Sequence, residues 1–201
     1  MIETAVDRFI ALTALLVLSP VLLVIALAVR ASSPGPVVFR QDRVGRQGRI
    51  FQIYKFRTMV AGADRMAANV SPEEDPRITR VGRVLRGWYL DELPQLVNVL
   101  KGDMSLVGPR PETPEYVACY TPAERAVLAV RPGLAGPSTL AFMDEAEQLT
   151  ASGDAAAHYE TVLLHQRVRE DLRYLDQRSL GYDLRLLCRQ AIAILRKGTG
   201  E

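Results

Sequence analysis

Leu90-Asp91-Glu92-Leu93-Pro94-Gln95-Leu96-Val97-Asn98-Val99-Leu100-Lys101-Gly102-Asp103-Met104-Ser105-Leu106-Val107-Gly108-Pro109-Arg110-Pro111 is the stretch on which the reading of this chain turns. An adjacent acid pair sits among apolar residues, upstream of a rigid Pro-Arg-Pro. Burying an ionised carboxylate is costly unless it is paired or bound to a cation, so acids in this setting indicate a function. The chemistry that suits them is phosphoryl transfer. Taken alone, Asp91-Glu92 also fits the solvated edge of an amphipathic helix, on which consecutive residues point about 100° apart.

The neighbours of the pair weigh against the plainer reading. Arg77, Arg80, Arg83 and Arg86 recur at every third residue, a band that on a helix would suit a diphosphate or anionic lipid headgroups. An ordinary charged surface accounts for Arg77 and Arg80 equally well. Arg86 lies roughly one and a half turns before Asp91 and is the candidate phosphate contact. Pro109 and Pro111 fix the backbone around Arg110 and limit the entropy lost when its guanidinium grips an anion, although a surface loop arginine would look the same. Residues 78–100 carry the main helical pattern, with Val81, Val84, Leu85, Trp88, Leu93, Leu96, Val97 and Leu100 on the apolar face. Pro94 loosens that ladder just after the acids. Residues 102–111 show neither helix nor strand periodicity.

Residues 9–29 form an apolar run long enough for a helix to cross a hydrocarbon core of about 30 Å. A straight span is the default, and Arg30, Arg40, Arg43, Arg46 and Arg49 would then hold the rest of the chain in the cytoplasm. A cleaved leader fits poorly, because Glu3 and Asp7 offset Arg8. Pro20 removes a backbone donor in mid-run, while the Ser19 hydroxyl can satisfy a freed group, so a break is expected there. Hydropathy leaves open whether the halves continue across or turn back.

Residues 32–36 are a turn cluster, and residues 37–41 and 50–56 read as strands joined through Gly45 and Gly48, giving a small β-hairpin. Charge on an edge strand explains Lys55 and Arg57 without a site. Residues 61–76 read as a short helix followed by a loop. Residues 162–175 read as a charged, solvent-facing helix, and Glu145, Glu147 and Asp154 as solvated. Leu180, Leu184, Leu187, Ala191, Ile194 and Leu195, interspersed with Arg185, Arg189, Arg196 and Lys197, form a basic amphipathic stretch that lies on a membrane interface or packs on the domain. His158 and His165 share a helix face without a ligand set. The 201 residues suffice for one core, and a net charge of +2 without a recognised motif argues against nucleic acid. Cys119 and Cys188 make no disulfide framework, as expected on a reducing, cytoplasmic side.

The opening stretch, together with Tyr54-Lys55-Phe56-Arg57-Thr58-Met59, Ser33-Pro34-Gly35-Pro36 and Arg131-Pro132-Gly133, resembles the catalytic domain of the bacterial monotopic phosphoglycosyl transferases. These are also called bacterial sugar transferases or undecaprenyl-phosphate sugar phosphotransferases. The resemblance covers residues 3–197 and is to the minimal form of the family. It implies an α+β, predominantly helical fold with a re-entrant membrane helix, a helix-break-helix at Ser19 and Pro20, a small β-hairpin and interfacial amphipathic helices. Residues 1–30 would be the anchor, with both ends on the cytoplasmic face of the bacterial inner membrane, and residues 31–201 the cytoplasmic catalytic domain.

The activity implied is transfer of a phosphosugar from a UDP-sugar to undecaprenyl phosphate through a covalent Asp91-phosphosugar intermediate, with release of UMP. This would be the first membrane step of bacterial glycoconjugate assembly. Asp91 and Glu92 are the implied catalytic dyad and the implied Mg²⁺ ligands. Glu92, which cannot face the same direction as Asp91 on a regular helix, would help bind the metal or orient the lipid. Lys55, Arg86, Pro109, Arg110, Pro111 and Arg131 are the implied substrate contacts; the partners are the two substrates and the cytoplasmic leaflet, and a homodimer is compatible with the family. After Gly133 the chain departs from the commonest family pattern, which puts sugar specificity in doubt. Two other readings stand beside this one: a non-catalytic membrane-anchored partner in glycan assembly, and a spanning glycosyltransferase that releases UDP.

Overall fold

The computed structural model describes residues 2–63, 75–151 and 154–199. Most of the segment expected to hold a short helix and loop, residues 61–76, lies outside the described residues. The fold is α+β and mostly helical, with one antiparallel and one parallel strand pair.

Helix α1 (Ile2–Ser32) is one continuous helix with Pro20 inside it. The expected break at Ser19-Pro20 is therefore a single missing hydrogen bond, not a separation into two helices. Pro20 has no N–H for the Leu16 carbonyl, and the Ser19 hydroxyl donates to that same carbonyl at 2.7 Å. Both halves of α1 pack on the body. Ala11 belongs to the core cluster that contains Leu96, Val99, Met104 and Tyr174, with Ala14, Leu15 and Leu18 beside it. Ile25 and Val29 belong to another cluster, with Phe56 and Leu85. These residues recur at three- and four-residue intervals, so one stripe of α1 is docked along its length. The opposite face stays apolar and exposed, with Phe9, Leu16, Val17, Leu23, Val24 and Leu27 each more than 60% accessible. Both ends are also tied by polar contacts. Arg8 donates to the Lys101 carbonyl at 3.0 Å, and Arg57 donates to the carbonyls of Val29, Ser33 and Pro36 at 3.3, 2.7 and 2.5 Å. Arg57 is thus a cap on the last turn of α1, where cations favour the free carbonyls.

Strands β1 (Val38–Val44) and β2 (Ile50–Phe56) form the expected hairpin, with Val38 opposite Phe56 and Val44 opposite Ile50. Asn98, fully buried on α3 (Leu96–Lys101), completes the outer edge of β2 as a peptide group would. Its Oδ1 accepts from the Tyr54 N–H at 3.0 Å and its Nδ2 donates to the Gln52 carbonyl at 2.7 Å. Asn98→Ala leaves both backbone groups unpaired, which is expected to cost about 2–4 kcal/mol. Thermal melting checks this, with a fall of roughly 5–12 °C expected.

The single helix expected over residues 78–100 is corrected to three pieces: α2 (Arg80–Gly87), a 3₁₀ segment (Leu90–Gln95) and α3. Tyr89 turns left-handed, with φ 54° and ψ 19°, and Pro94 cannot donate within the ladder. Residues 102–111 are corrected as well, since they include strand β3 (Ser105–Val107), which pairs in parallel with β4 (Gly133–Ala135). Buried along its whole length, β3 shows no alternation that periodicity could detect. Gly133 permits this pairing, because a Cβ there would come within 2.0 Å of the Gly108 nitrogen.

Between the paired strands lie α4 (Pro114–Ala118) and a 3₁₀ turn (Glu124–Ala129); α5 (Pro137–Ala141), α6 (Glu145–Ala151) and α7 (Ala155–His158) follow β4. A π turn (Tyr159–Leu163) leads into α8 (Leu164–Gln177), and α9 (Leu180–Thr199) ends the described chain. Helix α8 is not the solvent-facing helix its charges imply. It buries Leu164, Arg167, Val168, Asp171 and Tyr174, because both charged groups find partners inside: Arg167 pairs with Glu145, and Asp171 accepts from Ser138. Glu145 is accordingly half-buried and paired, not solvated. Helix α9 packs on the domain through Leu186, while Leu180, Leu184, Ile192 and Leu195 stay exposed.

Candidate active site

The interrupted helix builds the site. Two regular turns would send Asp91 and Glu92 in different directions, but the 3₁₀ segment folds both into one charged cluster, 8% and 7% accessible. The expectation that the two acids cannot face the same direction is thereby corrected, since Lys55 and Arg110 act on both. Glu92 Oε1 accepts from Lys55 Nζ at 2.7 Å and from Arg110 Nη2 at 2.9 Å, and Arg110 Nη1 lies 3.5 Å from Oε2. Lys55 comes from β2, so the hairpin, the 3₁₀ turn and the Pro-Arg-Pro segment meet at this one carboxylate. Asp91 lies beside the same groups but accepts no hydrogen bond from the described residues; Lys55, Glu92, Arg86 and Arg110 act on it through charge.

Arg86, in the last turn of α2, is oriented by Thr58, whose hydroxyl accepts from its Nε at 2.9 Å. Gly82 lets α2 approach this strand end, since a Cβ would fall 2.0 Å from the Thr58 carbonyl oxygen. Sequence reading missed Thr58 as a site residue. Its position three residues after Lys55 was the available signal, but a threonine there is unremarkable without the tertiary contact. The other arginines of the band part company. Arg77 is buried against Asp75, while Arg80 and Arg83 are exposed. Arg131 donates to Thr4 of α1 and not to the acid pair. The structure therefore brings Lys55, Arg86, Asp91, Glu92 and Arg110 together, with Pro109 and Pro111 framing the last.

The electrostatics separate the two acids. Burial pushes both carboxyls up. For Asp91 burial dominates over the cations and raises it to about 6. For Glu92 the nearby Arg110 and Lys55, through charge and direct hydrogen bonds, outweigh burial and hold it well below the usual carboxylate range. Glu92 in turn holds Arg110 firmly protonated, while burial lowers Lys55. Lys55, Arg86 and Arg110 thus converge on the two acids, a set of donors that suits an anionic ligand.

This arrangement defines a class: an α+β protein with a docked N-terminal helix apolar and long enough to cross a membrane, and a buried acid–base cluster. The chain belongs to the bacterial sugar transferase family, whose profile matches residues 1–197. It is 42% identical over 181 residues to a UDP-glucose:undecaprenyl-phosphate glucose-1-phosphate transferase of Caulobacter vibrioides, covering 88% of this chain and 63% of the relative. A UDP-N-acetylgalactosamine-undecaprenyl-phosphate N-acetylgalactosaminephosphotransferase of Aeromonas hydrophila is 44% identical over 138 residues, 67% of this chain and 33% of that protein. The exopolysaccharide production protein PSS of Rhizobium leguminosarum bv. phaseoli is 36% identical over 206 residues, 99% of this chain and 98% of that protein. The chain thus spans from a third of its relatives to nearly their whole length.

Proposed function

We propose that this protein transfers a phosphosugar from a UDP-sugar to undecaprenyl phosphate, with Asp91 as nucleophile. The observation that carries the reading is the unequal state of the two acids: Glu92 is fully engaged by Lys55 and Arg110, whereas Asp91 stands beside the same cations with no hydrogen bond from the described residues. A carboxylate left unengaged among cations is placed to attack an anionic phosphorus. Its oxygen forms a bond to the phosphorus nearest the sugar, the bridging P–O bond breaks, and UMP leaves with the electron pair. An oxygen of the lipid phosphate then attacks that phosphorus and frees Asp91. Arg86 and Arg110 neutralise the phosphates. Glu92 holds Lys55 and Arg110 in position.

Asp91 also fits a Mg²⁺ ion, which binds through one or two carboxylates with substrate oxygens completing its shell. No group of three or more acidic, histidine or cysteine ligands occurs among the described residues, so no all-protein cage competes with that mode. When bound, Mg²⁺ would neutralise charge on the diphosphate. Glu92 is the poorer ligand, because both its oxygens face cations.

The docking of both halves of α1 supports a monotopic arrangement at the cytoplasmic face of the inner membrane. A helix standing upright through about 30 Å of hydrocarbon leaves its far half away from a water-borne domain. Here Ala11 and Val29, in opposite halves of the helix, are both buried in the body. The exposed leucines of α9 and the outer face of α1 supply apolar surface for the membrane. Incubating the detergent-solubilised protein with a panel of UDP-sugars, undecaprenyl phosphate and Mg²⁺ tests the function. UMP release that requires the lipid for turnover, with a phosphosugar adduct on Asp91 by mass spectrometry, is expected. UDP release would reject the reading in favour of direct glycosyl transfer.

A further inference from the structure

The Pro-Arg-Pro segment is held by its backbone from three sides. Gly133 N–H donates to the Pro109 carbonyl at 2.8 Å, Arg43 Nη1 to the Pro111 carbonyl at 2.9 Å, and Val44 N–H to the Glu112 carbonyl at 2.9 Å. The prolines have no N–H, so the Arg110 amide is the one backbone donor of residues 109–111. It donates to Asp171 Oδ2 at 3.2 Å, across 61 positions of sequence. Asp171 also accepts from the Ser138 hydroxyl at 2.9 Å on Oδ2 and from the Ser138 amide at 3.2 Å on Oδ1.

Nothing in the chemistry at the acid pair uses Asp171. Its side chain is 3% accessible, and the nearby cation on its own helix, Arg167, is hydrogen-bonded to Glu145 instead. Burial pushes Asp171 up to about 6, with the Ser138 hydrogen bonds and the Arg167 charge pulling it back. Holding a carboxylate there is costly, and an amide of the same shape would avoid the charge. An amide, however, has one accepting oxygen and would turn an N–H toward one of the three donors. The carboxylate is the group that satisfies all three.

We propose that Asp171 is a positioning residue for Arg110: by taking the only amide proton of the Pro-Arg-Pro segment, with Ser138 fixing the carboxylate, it sets the point from which the Arg110 guanidinium reaches Glu92 and the donor diphosphate. The inference rests on the functional reading for the identity of the donor. Helix α8 thereby becomes part of donor binding without touching the donor.

A double-mutant cycle in UDP-glucose binding, by calorimetry with Mg²⁺ present, tests it. Asp171→Asn is expected to weaken binding about tenfold in the wild-type background but less than about twofold when Arg110 is already Ala. Equal losses in both backgrounds, or wild-type affinity in folded Asp171→Asn, would overturn the proposal. Ser138→Ala removes one clamp and keeps the charge; it is expected to show the same dependence on Arg110 with a smaller loss, and it decides the matter should Asp171→Asn fail to fold. Should the wild-type protein bind no UDP-sugar, the functional reading falls, and a crystal structure of Ser138→Ala still decides this one. Arg110 displaced from Glu92 supports it, and an unmoved Arg110 refutes it.

Discussion

Asp91→Asn is expected to lower UMP release by at least about a thousandfold while yielding a folded protein that melts about 2–6 °C higher than wild type. The two effects share one cause. Burial raises the Asp91 carboxyl to about 6, so the folded protein binds that proton more tightly than the unfolded chain does. Between about pH 4 and 6 the folded state holds the extra proton, and stability falls as pH rises through that window; above it, the ionised carboxylate carries the full cost. An uncharged isostere removes the cost and, on the proposed mechanism, the nucleophile with it. If Asp91 attacks as proposed, only its carboxylate does so, and wild-type activity is expected to follow the opposite trend: kcat/KM drops about tenfold per pH unit below about 6. A melting scan and a pH–rate profile measure both. Turnover by Asp91→Asn at near wild-type rate would remove Asp91 from the chemistry.

Glu92→Gln is expected to be inactive for a different reason and to move stability the other way. Glu92 sits between Lys55 and Arg110, and its carboxyl lies far below the usual range because their charges and hydrogen bonds outweigh burial. Its contribution to stability is present above the unfolded carboxylate value and is lost only in strong acid. Neutralising it takes the hydrogen-bonded counter-ion from two half-buried cations and leaves only Asp91 beside them. Removing one partner of a buried pair costs about 3–5 kcal/mol, so melting is expected to fall by roughly 10 °C. UMP release is expected to fall at least about a hundredfold, since Lys55 and Arg110 lose the group that places them. The opposite stability shifts of two neighbouring acids make the comparison decisive. If Glu92→Gln melted like wild type, the separation of roles between the acids would fail.

Much of this was legible in the chain. Two strand-like runs joined through Gly45 and Gly48 announce the β-hairpin, the apolar run of residues 9–29 announces α1, and the 3.6-residue period announces the helices on either side of the acids. The family resemblance, more than the residues alone, groups Asp91-Glu92, Lys55, Arg86 and Pro109-Arg110-Pro111, and it adds Arg131, which the fold directs to Thr4 instead. Their roles were less legible. A periodic pattern running through residues 78–100 conceals the break at Tyr89, because the same apolar positions serve two short helices with a 3₁₀ turn between them. Strand β3, buried throughout, has no period to read. Charges on α8 look solvent-facing until Glu145 and Ser138 arrive from elsewhere to meet Arg167 and Asp171.

The sequence by itself determined the local pieces: which segments are apolar enough to dock or anchor, where Pro20 and Pro94 forbid a backbone hydrogen bond, and which residue types are available for phosphate chemistry. These follow from side-chain volume, periodicity and missing donors, all of which act within a few residues. Only the tertiary structure decided that both acids share one cluster, that Glu92 is hydrogen-bonded by Lys55 and Arg110 while Asp91 accepts from none of the described residues, and that α1 lies docked along its length. Those outcomes depend on which charge is desolvated beside which. The partners of Glu92 stand 37 residues before it and 18 after it, brought together by the fold and not by the chain.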